Sequence, residues 1–273
     1  MNVTFIGGGN MAKALIGGLV KRGYSPSKMH VVEVSKESCV GLHNEFGVRA
    51  TTELAAAVEH GEAVILAVKP QQLQAVALKL APFLGGRLVI SIAAGIRTQD
   101  LARWLGTHNV VRCMPNTPAL IRCGVTALYA MPAVKPEQCH HAEAVLGAVG
   151  STLWVEDEEM LDAVTAISGS GPAYVFYFIE AMQQGAYELG LDEAQARQLV
   201  LDTFLGASKL AESSKEDVAT LRERVTSRNG TTERAIKSMD ANQVKMDIVA
   251  AIHAAAVRSK EMGDELGKDA NVG

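Results

Sequence analysis

Two clusters of small and hydroxyl-bearing residues in this chain have the composition to hold anions. The first, Gly7-Gly8-Gly9-Asn10-Met11-Ala12, directly follows the apolar run Val3–Ile6. It fits the pattern G-x-G-x-x-A, in which Gly7 permits a tight turn, Gly9 lets backbone approach a pyrophosphate, and Ala12 lets a helix close on a sheet. A helix opening there offers unpaired N–H groups and the positive end of its dipole to phosphate. Ile6, Gly7, Gly8, Gly9, Asn10 and Met11 are therefore expected to line a dinucleotide. A glycine turn that only reverses the chain is the plainer alternative. The second cluster, Val225-Thr226-Ser227-Arg228-Asn229-Gly230-Thr231-Thr232, precedes another apolar helix. Its donors suit a carboxylate, although Thr231 or Thr232 serving only as a helix cap would explain the same residues.

Ligands of open α/β sheets bind at the carboxyl edge of the strands, and further strand ends here carry polar or kinked residues. In Ala67-Val68-Lys69-Pro70, Lys69 either neutralises a phosphate or is a solvated loop residue. In Ser91-Ile92-Ala93-Ala94-Gly95, the small Ala93, Ala94 and Gly95 would let the chain pass close to a nicotinamide and its ribose. The two prolines of Met114-Pro115-Asn116-Thr117-Pro118 fix the backbone around Asn116, which then orients a carboxamide or substrate, or simply turns the chain. At the second strand end the signals conflict. Glu33 suits the ribose hydroxyls of NAD and repels a 2′-phosphate, while Ser35 and Lys36 just beyond would hold that phosphate. Ser168-Gly169-Ser170-Gly171-Pro172 reads as a flexible pentapeptide, with Pro172 in the first turn of the next helix and Ser170 as its N-cap or a substrate contact.

The elements that must position these residues alternate along the first half. Apolar runs at Val3–Ile6, Met29–Val34, Ala63–Val68, Leu88–Ile92, Val110–Cys113, Val125–Ala130 and Thr152–Val155 are separated mostly by segments of helical spacing such as Leu73, Val76, Ala77 and Leu80. Strands alternating with helices imply crossovers, hence a mostly parallel sheet covered on both faces. The predicted fold class is α/β: a doubly wound (Rossmann) sheet over residues 1–157, then an all-α domain over 158–273. In that second part Val175, Phe178, Ile179, Met182, Ala186 and Leu189 form one helical stripe and Ala196, Leu199, Val200, Thr203, Ala207 and Leu210 another. Both helices carry apolar residues off the stripe as well. Such wide faces predict a homodimer through the C-terminal helices.

A composition of 48% hydrophobic and 21% charged residues excludes a disordered chain, and a formal net charge of −4 without a basic run argues against nucleic acid. The longest nearly apolar run, Ile248–Val257, is interrupted by His253 and is about half of the ~18–20 residues a membrane span needs. No signal peptide is readable ahead of Val3, so a cytoplasmic protein with small-molecule partners is expected. Cys39, Cys113, Cys123 and Cys139 show no metal or CxxC spacing and read as reduced structural thiols, with no metal site.

Val225–Asp240, reading VTSRNGTTERAIKSMD, resembles the signature of pyrroline-5-carboxylate reductases. AVKP, SIAAG, MPNTP and SGSGPAYVF resemble other blocks of that family in the same order, covering Gly7 to roughly Glu261. The resemblance implies reduction of 1-pyrroline-5-carboxylate to L-proline by hydride from NAD(P)H, the last step of proline biosynthesis. It implies that Ser227, Gly230 and Thr231 hold the substrate carboxylate in a turn that includes Asn229, and that Thr232 places its hydroxyl on the ring nitrogen. It also implies NADPH as the usual donor, which Glu33 contradicts, and a substrate turn near the nucleotide of a partner subunit, with room for a higher assembly of dimers. Asn229 stands where many relatives have Gly, and Asn tolerates positive φ better than most residues. Three other readings stay open: a reductase of a different imine, a hydroxy-acid enzyme, disfavoured because Ala173–Leu189 holds no Lys, and a non-catalytic NAD(P)H-binding redox sensor, which would not need the hydroxyl-rich turn.

Overall fold

The computed structural model describes residues 1–268. Eight strands form one sheet: β1 (Val3–Ile6), β2 (Met29–Val32), β3 (Arg49–Thr51), β4 (Ala63–Leu66), β5 (Leu88–Ser91), β6 (Val110–Met114), β7 (Gly124–Ala130) and β8 (Gly150–Trp154). Their order is β3-β2-β1-β4-β5-β6-β7-β8, parallel throughout except for the antiparallel β6–β7 pair. That exception follows from length. Residues 115–123 between the two strands are fewer than the dozen or so a parallel crossover needs, so a 3₁₀ turn at Thr117–Ile121 folds the chain straight back.

The helices between strands are α1 (Asn10–Lys21), α2 (Lys36–Phe46), α3 (Leu54–Glu59), α4 (Pro70–Leu80), α5 (Thr98–Leu105) and α6 (Pro136–Leu146). Burial on both faces explains why the central strands read as unbroken apolar runs rather than alternating ones. Within β1 and β4 the two-residue period divides the side chains between two cores. Val3, Phe5, Ala63 and Ile65 join α1 residues Leu15, Ile16 and Leu19, while Ile6, Val64 and Leu66 join Leu73, Ala77 and Leu80 of α4. The predicted strands are present, with Val34, Val68 and Ile92 falling just beyond their strand ends. Edge strand β3 and helix α3 were not predicted, because three residues and an alanine-rich hexamer are too short to carry a period.

Beyond β8, α7 (Met160–Val164) runs into a π-helical turn at Thr165–Gly169 and then α8 (Gly171–Glu188). Here the sequence expectation fails. Ser168–Pro172 is not a flexible link, and Ser170 does not cap α8: its φ of −83° and ψ of −22° are helical, and its N–H donates to Thr165 O at 2.8 Å. A π turn accommodates the two glycines without leaving the helix. The chain continues through α9 (Glu193–Ser213), α10 (Val218–Arg224), α11 (Thr231–Ala241) and α12 (Val244–Leu266).

Two compact units result, one of residues 1–170 with the segment from Ala255 onward, the other Gly171–Ala254. The sequence placed the division at 157/158. The compact break comes later because Asn116 Nδ2 donates to Ser168 O at 3.2 Å and Ser259 Oγ donates to Asp162 at 2.6 Å, tying α7 and the π turn to the sheet unit. The helical unit has almost no core of its own. Among its described residues the buried apolar side chains are Ala186, Ala196 and Val200, while Phe176 and Tyr177 are 65% and 71% exposed. A groove of about 410 Å³ on this unit is lined by Tyr174, Tyr177, Phe178, Val244, Ile248 and Ile252. Among the described residues no helix is long and apolar enough to cross a membrane.

On the β3 side of the sheet, buried His30 lies 5.2 Å from the ring of His60. Burial first, then the neighbouring His60 and Arg49, push the His30 imidazole below its ordinary value near 6.5. The unfolded chain then binds the proton more readily than the folded one, so stability must fall as pH drops through about 6.5. Thermal melts between pH 8 and 5 are expected to show that loss, and His30→Asn to flatten it.

Candidate nucleotide and carboxylate sites

The N-terminus of α1 sits at the carboxyl edge of β1, at the switch point where β2 departs on one side and β4 on the other. Gly7 takes φ of +99°, and a Cβ there would stand 2.7 Å from Ala67 O and 3.1 Å from Val68 Cγ1. Its N–H donates to Val32 O at 2.9 Å. Gly8 is equally enclosed, since a Cβ would meet Leu42 Cδ1 at 2.6 Å. Gly9 differs: a Cβ there would meet nothing within 4 Å, and its φ of −68° is open to any residue. The fold itself does not require glycine at position 9, so the vacant approach to the helix end is where a ligand gains from it. Gly9 supplies no side-chain cap, which leaves the first N–H groups of α1 free for an anion. Asn10 is exposed beside them, and Met11 packs back onto the core. Ala12 is buried, as close packing of α1 demands.

Glu33 comes off the end of β2 to the same turn. Gly8 N–H donates to its Oε1 at 2.6 Å and Val34 N–H to its Oε2 at 2.9 Å. Ser35, the residue expected to compete with it, caps α2 by accepting from Ser38 N–H at 3.1 Å, and Lys36 is exposed in that first turn. Exposed Lys69 is the N-cap residue of α4 with Pro70 at its first position, again without a side-chain cap. These residues all lie at one edge of the sheet.

Two expectations look different in the structure. Gly95 has φ of +77°, but its open side faces Met262 Cβ at 3.3 Å and Leu266 Cδ1 at 3.4 Å, so its smallness admits the end of α12. Asn116 is buried with both ends of its amide engaged, Nδ2 to Ser168 O and Oδ1 accepting from Val125 N–H at 2.9 Å. Neither partnership was legible from local sequence. Ala93 is buried and its N–H points to Ser91 Oγ at 3.4 Å, while Ala94 is half-buried.

In the helical unit, Gly230 N–H closes a turn on Ser227 O at 3.0 Å, and a Cβ on Gly230 would press on that oxygen. Asn229 takes the left-handed φ of 60° that this turn requires, the conformation Asn tolerates. Gly230 is the N-cap of α11 and has no side chain to accept from its first N–H groups; Thr231 and Thr232 occupy the first two helical positions and neither is the cap. Their N–H groups have no partner within the helix. Sequence reading missed Glu233. It accepts from Asn229 N–H at 2.8 Å and lies 3.3 Å from Lys237 Nζ. The backbone bond first, then Lys237, hold its carboxyl below the usual glutamate value. The signal was available as an acidic residue three positions after a helix cap.

The profile described as "Pyrroline-5-carboxylate reductase dimerisation" matches residues 158–262, and that of "NADP oxidoreductase coenzyme F420-dependent" matches residues 2–95. A pyrroline-5-carboxylate reductase of Pseudomonas aeruginosa is 46% identical over 97% of this chain and 98% of its own. The chain belongs to the pyrroline-5-carboxylate reductase family. A solved reductase of Coxiella burnetii superposes with a TM-score of 0.91 at 39% identity, covering 96% of this chain and 98% of its own. The Plasmodium falciparum enzyme, solved with NADP bound, does so at 0.87 and 28%, with the same coverage.

Gly9→Ala separates ligand space from packing. The variant is expected to melt within a degree or two of the parent yet bind NADH at least tenfold more weakly, read by fluorescence titration. Gly7→Ala should lose both stability and binding.

Proposed function

We propose that this chain reduces 1-pyrroline-5-carboxylate to L-proline with hydride from NAD(P)H, working as a homodimer in the cytoplasm. The observation that carries the reading is the 46% identity, over nearly the full length of both chains, to a reductase of that name. The nucleotide lies along the carboxyl edge of the sheet, its pyrophosphate on the free N–H groups of α1, with Ile6–Met11, Ala67–Pro70, Ala93–Gly95 and Asn116 around it. Bound there, NAD(P)H supplies the hydride. The substrate carboxylate lies at the start of α11, taken by the Thr231 and Thr232 N–H groups and the Ser227 and Thr231 hydroxyls. Gly230 belongs to the same carboxylate turn, which it shapes with Asn229, its N–H closing on Ser227 O. Thr232 sets its hydroxyl on the ring nitrogen and holds it in register. An ordinary hydroxyl is a poor acid, so this is a positioning role rather than general acid catalysis.

Glu33 supports NADH as the better donor. Two backbone N–H groups hold its carboxylate at the end of β2, where an anion repels a 2′-phosphate. The uncovered apolar faces of α8 and α9 support the dimer, because helices that expose Phe176, Leu199 and Leu205 have too little to bury alone. Residues 1–157 then serve as the nucleotide domain and 158–273 as the substrate and dimerisation domain.

The deciding experiment follows NADH and NADPH oxidation with synthetic 1-pyrroline-5-carboxylate and identifies proline as product, with a higher kcat/KM for NADH. Absence of turnover by folded protein that binds NADH would sink the assignment. Thr232→Ala should lower kcat/KM about 5–150-fold, the worth of one hydrogen bond of roughly 1–3 kcal/mol in the transition state. Light scattering should give a dimer for the parent chain and a monomer for Phe176→Glu/Leu205→Glu; a monomeric parent would refute the dimer.

A further inference from the structure

We propose that Glu158 is a positioning residue for hydride transfer, fixing from a distance the β5–α5 loop, Ile92–Arg97, that borders the nicotinamide half of the crevice. The proposal rests on the reductase reading above. Helix α5 begins at Thr98, and its N-cap residue Arg97 offers no side-chain cap. The cap comes instead from the acidic stretch after β8. Thr98 N–H donates to Glu158 Oε1 at 2.7 Å and Thr98 Oγ1 to Oε2 at 2.6 Å. The same carboxylate receives Arg112 Nη1 at 2.9 Å from the middle of β6. Thr98 is 2% exposed and Arg112 5%, so one carboxylate serves a buried hydroxyl, a buried helix N–H and a buried cation. Without it, Arg112 is left as an unpaired charge inside the protein and the first N–H of α5 as an orphan.

Within the loop that this carboxylate terminates, Ala93 and Ile96 are buried in the core. Ile92 N–H donates to Leu66 O at 3.2 Å where β5 ends. Gly95 rests against Met262 and Leu266, and Arg97 pairs with Asp264 at 2.6 Å, both through the end of α12. Beyond them, Glu158 decides where α5 starts and therefore how Ala93–Gly95 lie between β4 and β6. In a doubly wound sheet of this strand order the glycine turn of β1 takes the pyrophosphate, and the β4–β5–β6 half takes the second nucleoside. Hydride transfer depends on that nucleoside being held to within a fraction of an ångström, so a loosened loop costs rate as well as affinity. A carboxylate already at the N-terminus of α5 also occupies its positive end, which leaves the phosphates to α1.

Glu158→Gln keeps the shape but removes the charge that Arg112 and Thr98 share. NADH titration by fluorescence should show a Kd about tenfold higher and the assay a kcat about tenfold lower, while KM for the imine changes less than about twofold. Thr98→Val removes only the hydroxyl bond, leaves the backbone bond in place, and should move Kd and kcat in the same direction by a few-fold, which keeps the test open if Glu158→Gln does not fold. Unchanged NADH Kd and kcat in folded variants, with only a lower melting temperature, would overturn the proposal. If the parent binds NADH without reducing the imine, the reductase reading fails by itself, and the Kd comparison still decides whether Glu158 sets the cofactor loop.

Discussion

The close approach of two backbones, at Gly7 and at the carbonyl of Ala67, is the constraint on which the nucleotide edge depends. A methyl group on Gly7 would stand 2.7 Å from that oxygen, so any side chain would force β1 and β4 apart where the strand order reverses. Gly7 also needs its positive φ to turn the chain from β1 into α1. With both conditions met, the α1 N-terminus faces the crevice rather than the sheet, and Gly9 keeps its approach clear. Everything else at that edge is arranged around an opening made by the absence of atoms.

Charge is distributed along the same edge by the way each helix is capped. The N-terminus of α2 is satisfied by Ser35 and that of α5 by Glu158 from the far end of the sheet. The N-termini of α1 and α4 carry no side-chain cap. Helix ends attract anions because their N–H groups lack partners, so filling two of them directs phosphate toward the others. Glu33, bonded to Gly8 and Val34, adds a fixed negative charge beside the glycine turn. The turn at Ser227–Thr232 uses the same physics: Gly230 caps α11 without a side chain, and Glu233 holds the turn from the outside by taking Asn229 N–H.

The two compact units satisfy their apolar residues in opposite ways. The sheet unit buries Phe5, Leu15, Ile16, Ile65 and Leu66 completely within its two cores. The helical unit buries little more than two alanines and a valine, so its stability cannot come from its own packing. The end of α12 contributes to the other unit instead, with Ser259 buried on Asp162 and Met262 laid against Gly95.

Sequence alone determined the elements long enough to repeat a period, the order of strand and helix in the first half, and the two turns rich in glycine and hydroxyls, because these follow from local spacing and backbone preference. It also indicated Asn229 as a tolerable substitute for glycine, since left-handed φ is a property of one residue. Tertiary structure decided the rest. That β3 exists depends on pairing with β2, that Ser168–Pro172 is helical depends on the α7 turn running into it, and that Gly95 is small depends on Met262, 167 positions away. Nothing local marks Glu158, and only folding brings it to Thr98 and Arg112. Contacts between distant positions leave no mark on the spacing of either partner, so they became visible only when the chain closed on itself.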